Sequence, residues 1–138
     1  MRTYCWPQFV ALALPALLAG CSHAPPAGAT SGSVKGTLSS VPSPPVVGHD
    51  NTFSVTLTDG AQKVTGAQVG LAFFFKGLNQ TGPTATGAET APGVYTAREI
   101  STGMAGAWEV EVTVNRPGHP PAKLTLPFRV AQGSGATE

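Results

Sequence analysis

Four ionisable side chains in this sequence have types and spacings that could support acid–base chemistry. His49 and Asp50 are neighbours in a Gly-His-Asp-Asn sequence that is typical of a turn. Because neighbouring side chains point apart, the two residues make a poor catalytic pair, and we predict a solvated turn. Glu109 and Glu111 lie two residues apart on a predicted strand, about 7 Å from one another, a separation that some paired-carboxylate hydrolases use. The sequence shows no cleft to hold a substrate, and cross-strand pairing with Lys or Arg is the ordinary use of such residues. We therefore expect no enzyme.

A different chemistry is indicated at the N-terminus. Residues 9–18 form an apolar run that is long enough for a secretion signal and short for a membrane span. The run ends in Leu18-Ala-Gly-Cys21, which resembles the bacterial lipobox. The resemblance implies diacylglycerol transfer to the Cys21 thiol, cleavage before this residue and acylation of the new amino terminus, which together make a stable membrane anchor. An ordinary secretory signal cleaved near a cysteine is the alternative.

The residue after the predicted lipidation site bears on location. This residue is Ser22 rather than Asp. In this the sequence resembles lipoproteins that are sorted to the outer membrane of Gram-negative bacteria, where the domain would face the periplasm. Cys5 would leave with the signal and Cys21 would be acylated, so we expect neither a disulfide nor a Cys-ligated metal. The chain has 8 Lys and Arg against 7 Asp and Glu, without clusters. This balance predicts no nucleic-acid partner.

Composition divides the chain into four parts. Residues 1–20 are the predicted lipoprotein signal peptide. Residues 21–33 are rich in Pro, Gly and small polar residues without apolar periodicity, which predicts a flexible tether. At about 3.3–3.6 Å per residue the tether would reach about 40 Å. Residues 34–131 form the folded domain, and residues 132–138 a disordered tail.

Alternation of apolar and polar residues is the main structural signal in the domain, and it is clearest over residues 108–114. It predicts an all-β, immunoglobulin-like antiparallel β-sandwich of about seven strands without a disulfide. Strands are expected within residues 34–47, 52–58, 64–75, 93–100, 108–114 and 124–130, with a further short strand after a loop at 76–87. The predicted core is Phe53, Val55, Leu57, Val69, Tyr95, Trp108, Val110, Val112, Leu126 and Phe128.

The alternating direction of successive strands predicts which connections share an end of the sandwich. Residues 48–51, 76–87 and 102–107 should lie at one end, and residues 59–60, 92–93 and 116–119 at the other. His119 therefore cannot share a site with Met104. A tether entering the first strand at the His119 end would turn the Met104 end away from the membrane.

Two further expectations concern residues 93–114 and the Phe73–Phe75 run. We expect the former to be a hairpin around which the other strands assemble. The aromatic run breaks strict alternation, so one of its faces should expose aromatic surface that could bind a protein.

Four spaced motifs together resemble the YtkA-like/FixH-like domain family over residues 36–131. They are Gly48-x-x-Asn51-x-Phe53-x-Val55-x-Leu57-x-Asp59, Val64-x-Gly66-Ala67-x-Val69, Pro92-Gly93-x-Tyr95 and Met104-Ala105-Gly106-x-Trp108. The resemblance implies an extracytoplasmic immunoglobulin-like domain, with relatives associated with metal handling, copper especially, and with assembly of respiratory oxidases.

The metal ligands of the family are poorly matched in this sequence. Many relatives carry a Met-Pro-x-Met segment after the third strand, whose thioethers suit Cu(I), whereas residues 74–82 here contain no methionine. Met104 and His49 are the weak candidates that are left, and packing is the favoured role of Met104. We predict a non-enzymatic, membrane-anchored envelope lipoprotein that binds a protein partner and needs no cofactor. The alternatives are a periplasmic copper or other metal-handling domain and a purely structural appendage.

Overall fold

The alternating sequence forms nine β-strands in a computed structural model that describes residues 28–134. The described residues contain no helix, and hence none that could cross a membrane. The strands are β1 (Gly28–Ser31), β2 (Val34–Val41), β3 (Asn51–Asp59), β4 (Gln62–Lys63), β5 (Gln68–Phe75), β6 (Gln80–Ala91), β7 (Val94–Ile100), β8 (Gly106–Asn115) and β9 (Ala122–Val130). The predicted all-β, immunoglobulin-like architecture is confirmed.

The strands follow one hydrogen-bonded path in the order β1-β2-β3-β7-β6-β5-β8-β9, with β4 added to β3. All strand pairs are antiparallel. Strand β6 joins the two layers of the sandwich, because its first residues pair with β5 and its last residues pair with β7. A parallel bridge between Val46 and Ala131 joins the connection that follows β2 to the chain just after β9.

The prediction of a hairpin at residues 93–114 is wrong. Strand β7 pairs with β3 and β6, whereas β8 pairs with β5 and β9, so the two strands lie in opposite layers. Both strands bury an apolar face, and those faces meet across the interior rather than side by side in one sheet. Residues 101–105 cross between the layers.

The core forms where the alternation predicts it. Nine of the ten predicted core residues are buried, and Phe128 is half-buried at the margin of the core. The rings of Phe53, Phe73 and Phe128 pack on one another with centroids 5.0–6.0 Å apart. Trp108 extends this cluster toward Phe75, at a centroid distance of 5.4 Å.

The prediction of a loop at residues 76–87 is mostly wrong. Only residues 76–79 form a turn, and residues 80–91 form the long strand β6. The Gly, Thr and Pro residues of β6 are typical of loops, but packing requires the glycine at position 82. A Cβ atom at Gly82 would lie 2.7 Å from Cζ3 of Trp108, so only glycine lets the strand pass this close to the indole.

The aromatic run also differs from the prediction. Phe73 is fully buried, and Phe75 faces the same side and packs against the core. Phe74 points to the other face, where its strand neighbours are Thr81 and Glu109, and it is half-buried there. Ordinary alternation therefore holds through this run, and it does not form the exposed aromatic surface that was expected.

The predicted tether contains a strand. Residues 28–31 form β1 and pair with residues 34–37 of β2, because Gly32 takes the positive φ (61°) of a tight turn and Ala29 packs against the core. The described chain therefore joins the sheet beside Thr37, half-way along β2, and not at the end of the sandwich. The predicted signal peptide, Cys21 and residues 135–138 lie outside the described residues.

Candidate functional site

The connections between strands meet at the two ends of the sandwich in the predicted grouping. Connections 42–50, 76–79 and 101–105 lie together, since Gly48 donates its N–H to the Thr102 carbonyl (3.2 Å) and Trp108 donates its indole N–H to the Met104 carbonyl (2.9 Å). We call this the Met104 end. Connections 60–67, 92–93 and 116–121 form the opposite end, which we call the Arg116 end.

One buried carboxamide organises the Met104 end. Asn51 is fully buried at the start of β3, and its Oδ1 accepts the N–H of Val46 at 2.8 Å. Its Nδ2 donates to the carbonyls of Val46, His49 and Ile100 at 3.0, 3.0 and 3.1 Å. This side chain fixes the 46–50 turn and attaches the turn to β7. Sequence reasoning assigned Asn51 only to turn chemistry, although the family motif includes it.

Met104 and His49 lie on adjacent connections but in different environments. Met104 is half-buried and packs against the core, as the packing interpretation requires. His49 is exposed, and its backbone carbonyl, rather than its imidazole, takes part in the Asn51 network. The Gly48–Thr102 hydrogen bond holds the two connections side by side.

Thr102 is a residue of the Met104 end that the sequence analysis missed. It is fully buried, and its hydroxyl has no hydrogen-bond partner within residues 28–134. Nothing in the polar sequence Ser-Thr-Gly signals burial, because the residue becomes enclosed only when connection 101–105 crosses between the layers. Burying an unpaired hydroxyl costs free energy.

The surface of the Met104 end is apolar at two points. Val41, at the end of β2, is 72% exposed, and Leu78, in the turn between β5 and β6, is 69% exposed. They are the exposed large hydrophobic residues of the part of the chain that the structure describes. The Leu78 turn is tied down by the Lys76 N–H donating to the Ala107 carbonyl at 3.0 Å.

The Arg116 end is built from charged and hydroxyl side chains. Arg116 pairs with Asp59 at 2.9 Å, with both side chains largely covered, beside a cavity of about 200 Å³ that Ser33 and the exposed His119 also line. Hydrogen bonds from the Ser33 hydroxyl and then from Arg116 hold the pKa of Asp59 below its ordinary value of 3.8. His119 lies in this cluster, at the end opposite Met104, as strand direction predicts.

Two further residues hold the connections of the Arg116 end. The Tyr95 hydroxyl donates to the Val64 carbonyl at 2.9 Å and accepts the Ala67 N–H at 3.1 Å. The Glu89 carboxylate accepts the N–H groups of Gly66 and Gly93 at 3.0 and 3.3 Å. Side chains therefore supply the partners that the turn backbone lacks.

The comparisons with known proteins agree with this geometry. The sequence profile described as YtkA-like matches residues 28–113. The chain belongs to the YtkA-like family. The matched segment contains Asn51, Tyr95, Met104 and Trp108, whose side chains or carbonyls hold the connections at the two ends.

A solved structure shares the fold of this YtkA-like domain. The crystal structure of the PmoD soluble domain from Methylocystis sp. ATCC 49242 (Rockwell) superposes with a TM-score of 0.54 at 12% sequence identity. The alignment covers 76% of this chain and 98% of that chain. At this identity the likeness shows the fold alone. The comparison with curated proteins gave no significant match.

The part of this YtkA-like chain that the structure describes offers few donor atoms to copper. Within residues 28–134 no three His, Cys, Asp or Glu side chains come together in a way that could hold a metal ion. Met104 adds one thioether, which is engaged in packing, and His49 adds one exposed imidazole. The described residues therefore offer copper one packed thioether and one exposed imidazole at this end.

The acidic residues of β8 have ordinary partners. Glu109 pairs with Lys76 at 3.0 Å, and Glu111 pairs with Lys123 on β9 at 3.1 Å. These are the cross-strand and turn contacts that the sequence analysis favoured. His49 and Asp50 both lie exposed in the 46–50 turn. The structure therefore brings none of the four candidate acid–base residues into a shared site.

Proposed function

We propose that this YtkA-like chain is a non-enzymatic accessory domain of the bacterial envelope that binds a protein partner through its Met104 end. The observation that carries the proposal is the location of Val41 and Leu78, which expose large apolar side chains at this one end. Buried hydrogen bonds around Asn51 and backbone hydrogen bonds at the Leu78 turn hold this surface in place. A preformed apolar surface loses little entropy on binding, which favours a docking role.

The anchor belongs to the same proposal. A lipid on Cys21 would hold the domain at the outer membrane, facing the periplasm, where a partner in the envelope could meet the Met104 end. The lipobox resemblance of residues 18–21 supports it. The test is the mass of the mature protein together with its distribution between membrane and soluble fractions. Cys21→Ser is expected to abolish the acylated mass and membrane association, and retention of both would contradict the anchor.

Photocrosslinking in cells tests the binding surface. A photoreactive residue at position 78 of the full-length protein is expected to give a discrete adduct, and Val41→Glu in the same chain is expected to abolish it. Ala61→Glu, an exposed position at the Arg116 end, is the matched control and should leave the adduct unchanged. The proposal would be refuted if photoreactive residues at positions 61 and 78 gave the same adduct in equal yield. It would also be refuted if Val41→Glu left the yield from position 78 unchanged.

Metal handling is the second candidate function, and the Gly48–Thr102 hydrogen bond is the observation that favours it. This bond places the connections that carry His49 and Met104 side by side. Titration with Cu(I) under reducing conditions, against a competing chelator, tests it. Sub-micromolar binding that is lost in Met104→Leu and in His49→Ala would establish this candidate, and absence of binding would leave the protein-docking role.

A further inference from the structure

Three turns meet around the small cavity at the Arg116 end. The first turn joins β1 to β2, the second follows β3, and the third joins β8 to β9. Gly32, with its φ of 61°, allows the first to be a two-residue turn. The Gly60 N–H donates to the Ser33 carbonyl at 3.2 Å and attaches the first turn to the second. The walls of the cavity, which encloses about 200 Å³, are therefore fixed by the backbone.

The third turn places an arginine and a histidine side by side. Residues 116–119 read Arg-Pro-Gly-His, in which Pro117 suits the second position of a β-turn and Gly118 takes a positive φ (74°) at the third. The His119 N–H donates to the Arg116 carbonyl at 3.3 Å and closes the turn. Both residues line the cavity. The turn brings two nitrogen-bearing side chains to one wall of the cavity.

The guanidinium of Arg116 has more donors than acceptors around it. The side chain is only 16% exposed, and its Nη2 donates to Asp59 at 2.9 Å. A guanidinium carries several N–H groups in a planar fork and accepts nothing. Asp59 is the one acceptor that this fork has within residues 28–134, and it engages a single nitrogen. A covered cation with unused donors, beside a cavity, is suited to a second acceptor.

The charge and size of the cavity indicate the class of that acceptor. Arg116 and Asp59 together are neutral, so a singly charged ligand meets less repulsion from Asp59 than a phosphate dianion would. A carboxylate is planar and matches two parallel N–H groups of a guanidinium. Ser31 adds a hydroxyl, since it lines the cavity and shares the inward face of β1 with Ala29. The cavity is smaller than the about 300–1,000 Å³ of sites for drug-sized ligands, which favours a compact group.

We propose that this cavity binds a compact carboxylate, held by the N–H groups of Arg116 that Asp59 leaves unused. Asp59 fixes the guanidinium, and Ser31 and His119 supply further donors. The same chemistry describes a small free acid and the carboxyl terminus of a peptide, and the test separates the two. The site lies at the opposite end of the sandwich from the proposed docking surface and does not depend on it.

An NMR titration of the full-length protein tests the site. The probe is sodium acetate, which replaces sodium chloride at constant ionic strength and neutral pH. The backbone amides of Ser33 and His119 are expected to shift and to saturate, whereas amides of the Met104 end stay in place. An acetylated alanine dipeptide with a free carboxyl terminus is compared with its carboxamide. Tighter binding of the free dipeptide than of acetate would identify a chain terminus as the source, the reverse would identify a small acid, and the carboxamide should not bind.

Two substitutions on neighbouring residues of β1 give the sharpest comparison. Ser31→Asp leaves Arg116 and Asp59 in place and adds a carboxylate on the face that lines the cavity, so it is expected to weaken acetate binding at least about tenfold. Thr30→Asp adds the same charge on the exposed face and should leave the affinity unchanged.

Arg116→Lys tests the fork itself. The ammonium can still pair with Asp59 but lacks the second set of planar donors, so acetate binding should weaken at least about fivefold. Arg98→Lys, at an exposed position of β7, is the matched control and should have no effect. The proposal would be overturned by shifts that do not saturate, by equal effects of Ser31→Asp and Thr30→Asp, by wild-type affinity in Arg116→Lys, or by tighter binding of phosphate than of acetate.

Discussion

The two ends of the sandwich stabilise their connections by different chemistry. The Met104 end uses one buried neutral carboxamide, that of Asn51, and leaves apolar side chains on its surface. The Arg116 end uses ionised and hydroxyl groups, with Asp59 on Arg116 and Glu89 on backbone N–H groups. Order in the 46–50 turn therefore does not depend on ionisation, and the one ion pair described at this end, Lys76–Glu109, lies at the surface. This difference is why we assign docking to the Met104 end.

The largest effect is expected at the centre of the Met104 network. Asn51→Ala removes the partner of the Val46 N–H and the amide contacts to three carbonyls, of which that of Val46 keeps a second donor, the His49 N–H at 3.4 Å. Unpaired buried groups cost about 1–3 kcal/mol each, so we expect a loss of about 3 kcal/mol in the free energy of unfolding. Denaturant unfolding measures it. Asn115→Ala, at an exposed position of the Arg116 end, is the control and should change stability by less than about 0.5 kcal/mol. A similar loss in both variants would remove the special role of Asn51.

A smaller loss is expected when the Arg116 end loses one hydroxyl. Tyr95→Phe keeps the buried ring and removes the contacts with the Val64 carbonyl and the Ala67 N–H. Two neutral hydrogen bonds predict a decrease of about 1.5 kcal/mol in the free energy of unfolding. Faster amide hydrogen exchange at residue 67 than in the wild type would locate the effect. Unchanged exchange there would mean that the tyrosine does not hold this connection.

Thr102→Val should act in the opposite direction. The substitution replaces a buried hydroxyl that has no partner in the described part of the chain with a methyl group of similar volume. Removing an unsatisfied polar group is expected to raise the free energy of unfolding by about 1 kcal/mol. Thermal and denaturant unfolding would measure it. A clear loss of stability would show that this hydroxyl has a partner, such as a bound water.

Met104→Leu tests whether the thioether has a role beyond packing. The two side chains have similar volumes, and Met104 is only half-buried, so the expected loss is less than about 1 kcal/mol. The adduct from position 78 should be unchanged. A normal unfolding curve with a lost adduct would instead point to a specific role for the sulfur atom at the Met104 end.

Strand periodicity predicted the parts of the fold that depend on local alternation. The core residues from Phe53 to Leu126 and the grouping of connections at each end follow from period two and from strand direction. The pairing of β7 with β3 rather than β8 could not be predicted this way, because it depends on which apolar faces meet across the interior. Strand β6 was missed for a related reason, since Gly82 is required by Trp108, a residue distant in sequence. Burial of Asn51 and Thr102 is likewise a tertiary effect.

The smallest effect is expected from pH. It concerns the stabilisation that Asp59 gives to the Arg116 end. Hydrogen bonds from Ser33 and Arg116 lower the pKa of Asp59 in the folded state. Its stabilising contribution is therefore fully present above the ordinary pKa of 3.8 and is lost as the pH falls through the lower folded value. The difference in the free energy of unfolding between the wild type and Asp59→Asn should shrink below about pH 4. The same difference for Asn51→Ala should stay constant, since no ionisable side chain is removed. Because Ser33 belongs to the turn between β1 and β2, acid should also lower the protection of the β1 amides against hydrogen exchange, relative to the unfolded chain at the same pH, before that of the rest of the sheet. A constant Asp59→Asn difference would mean that the two ends do not differ in their dependence on charge.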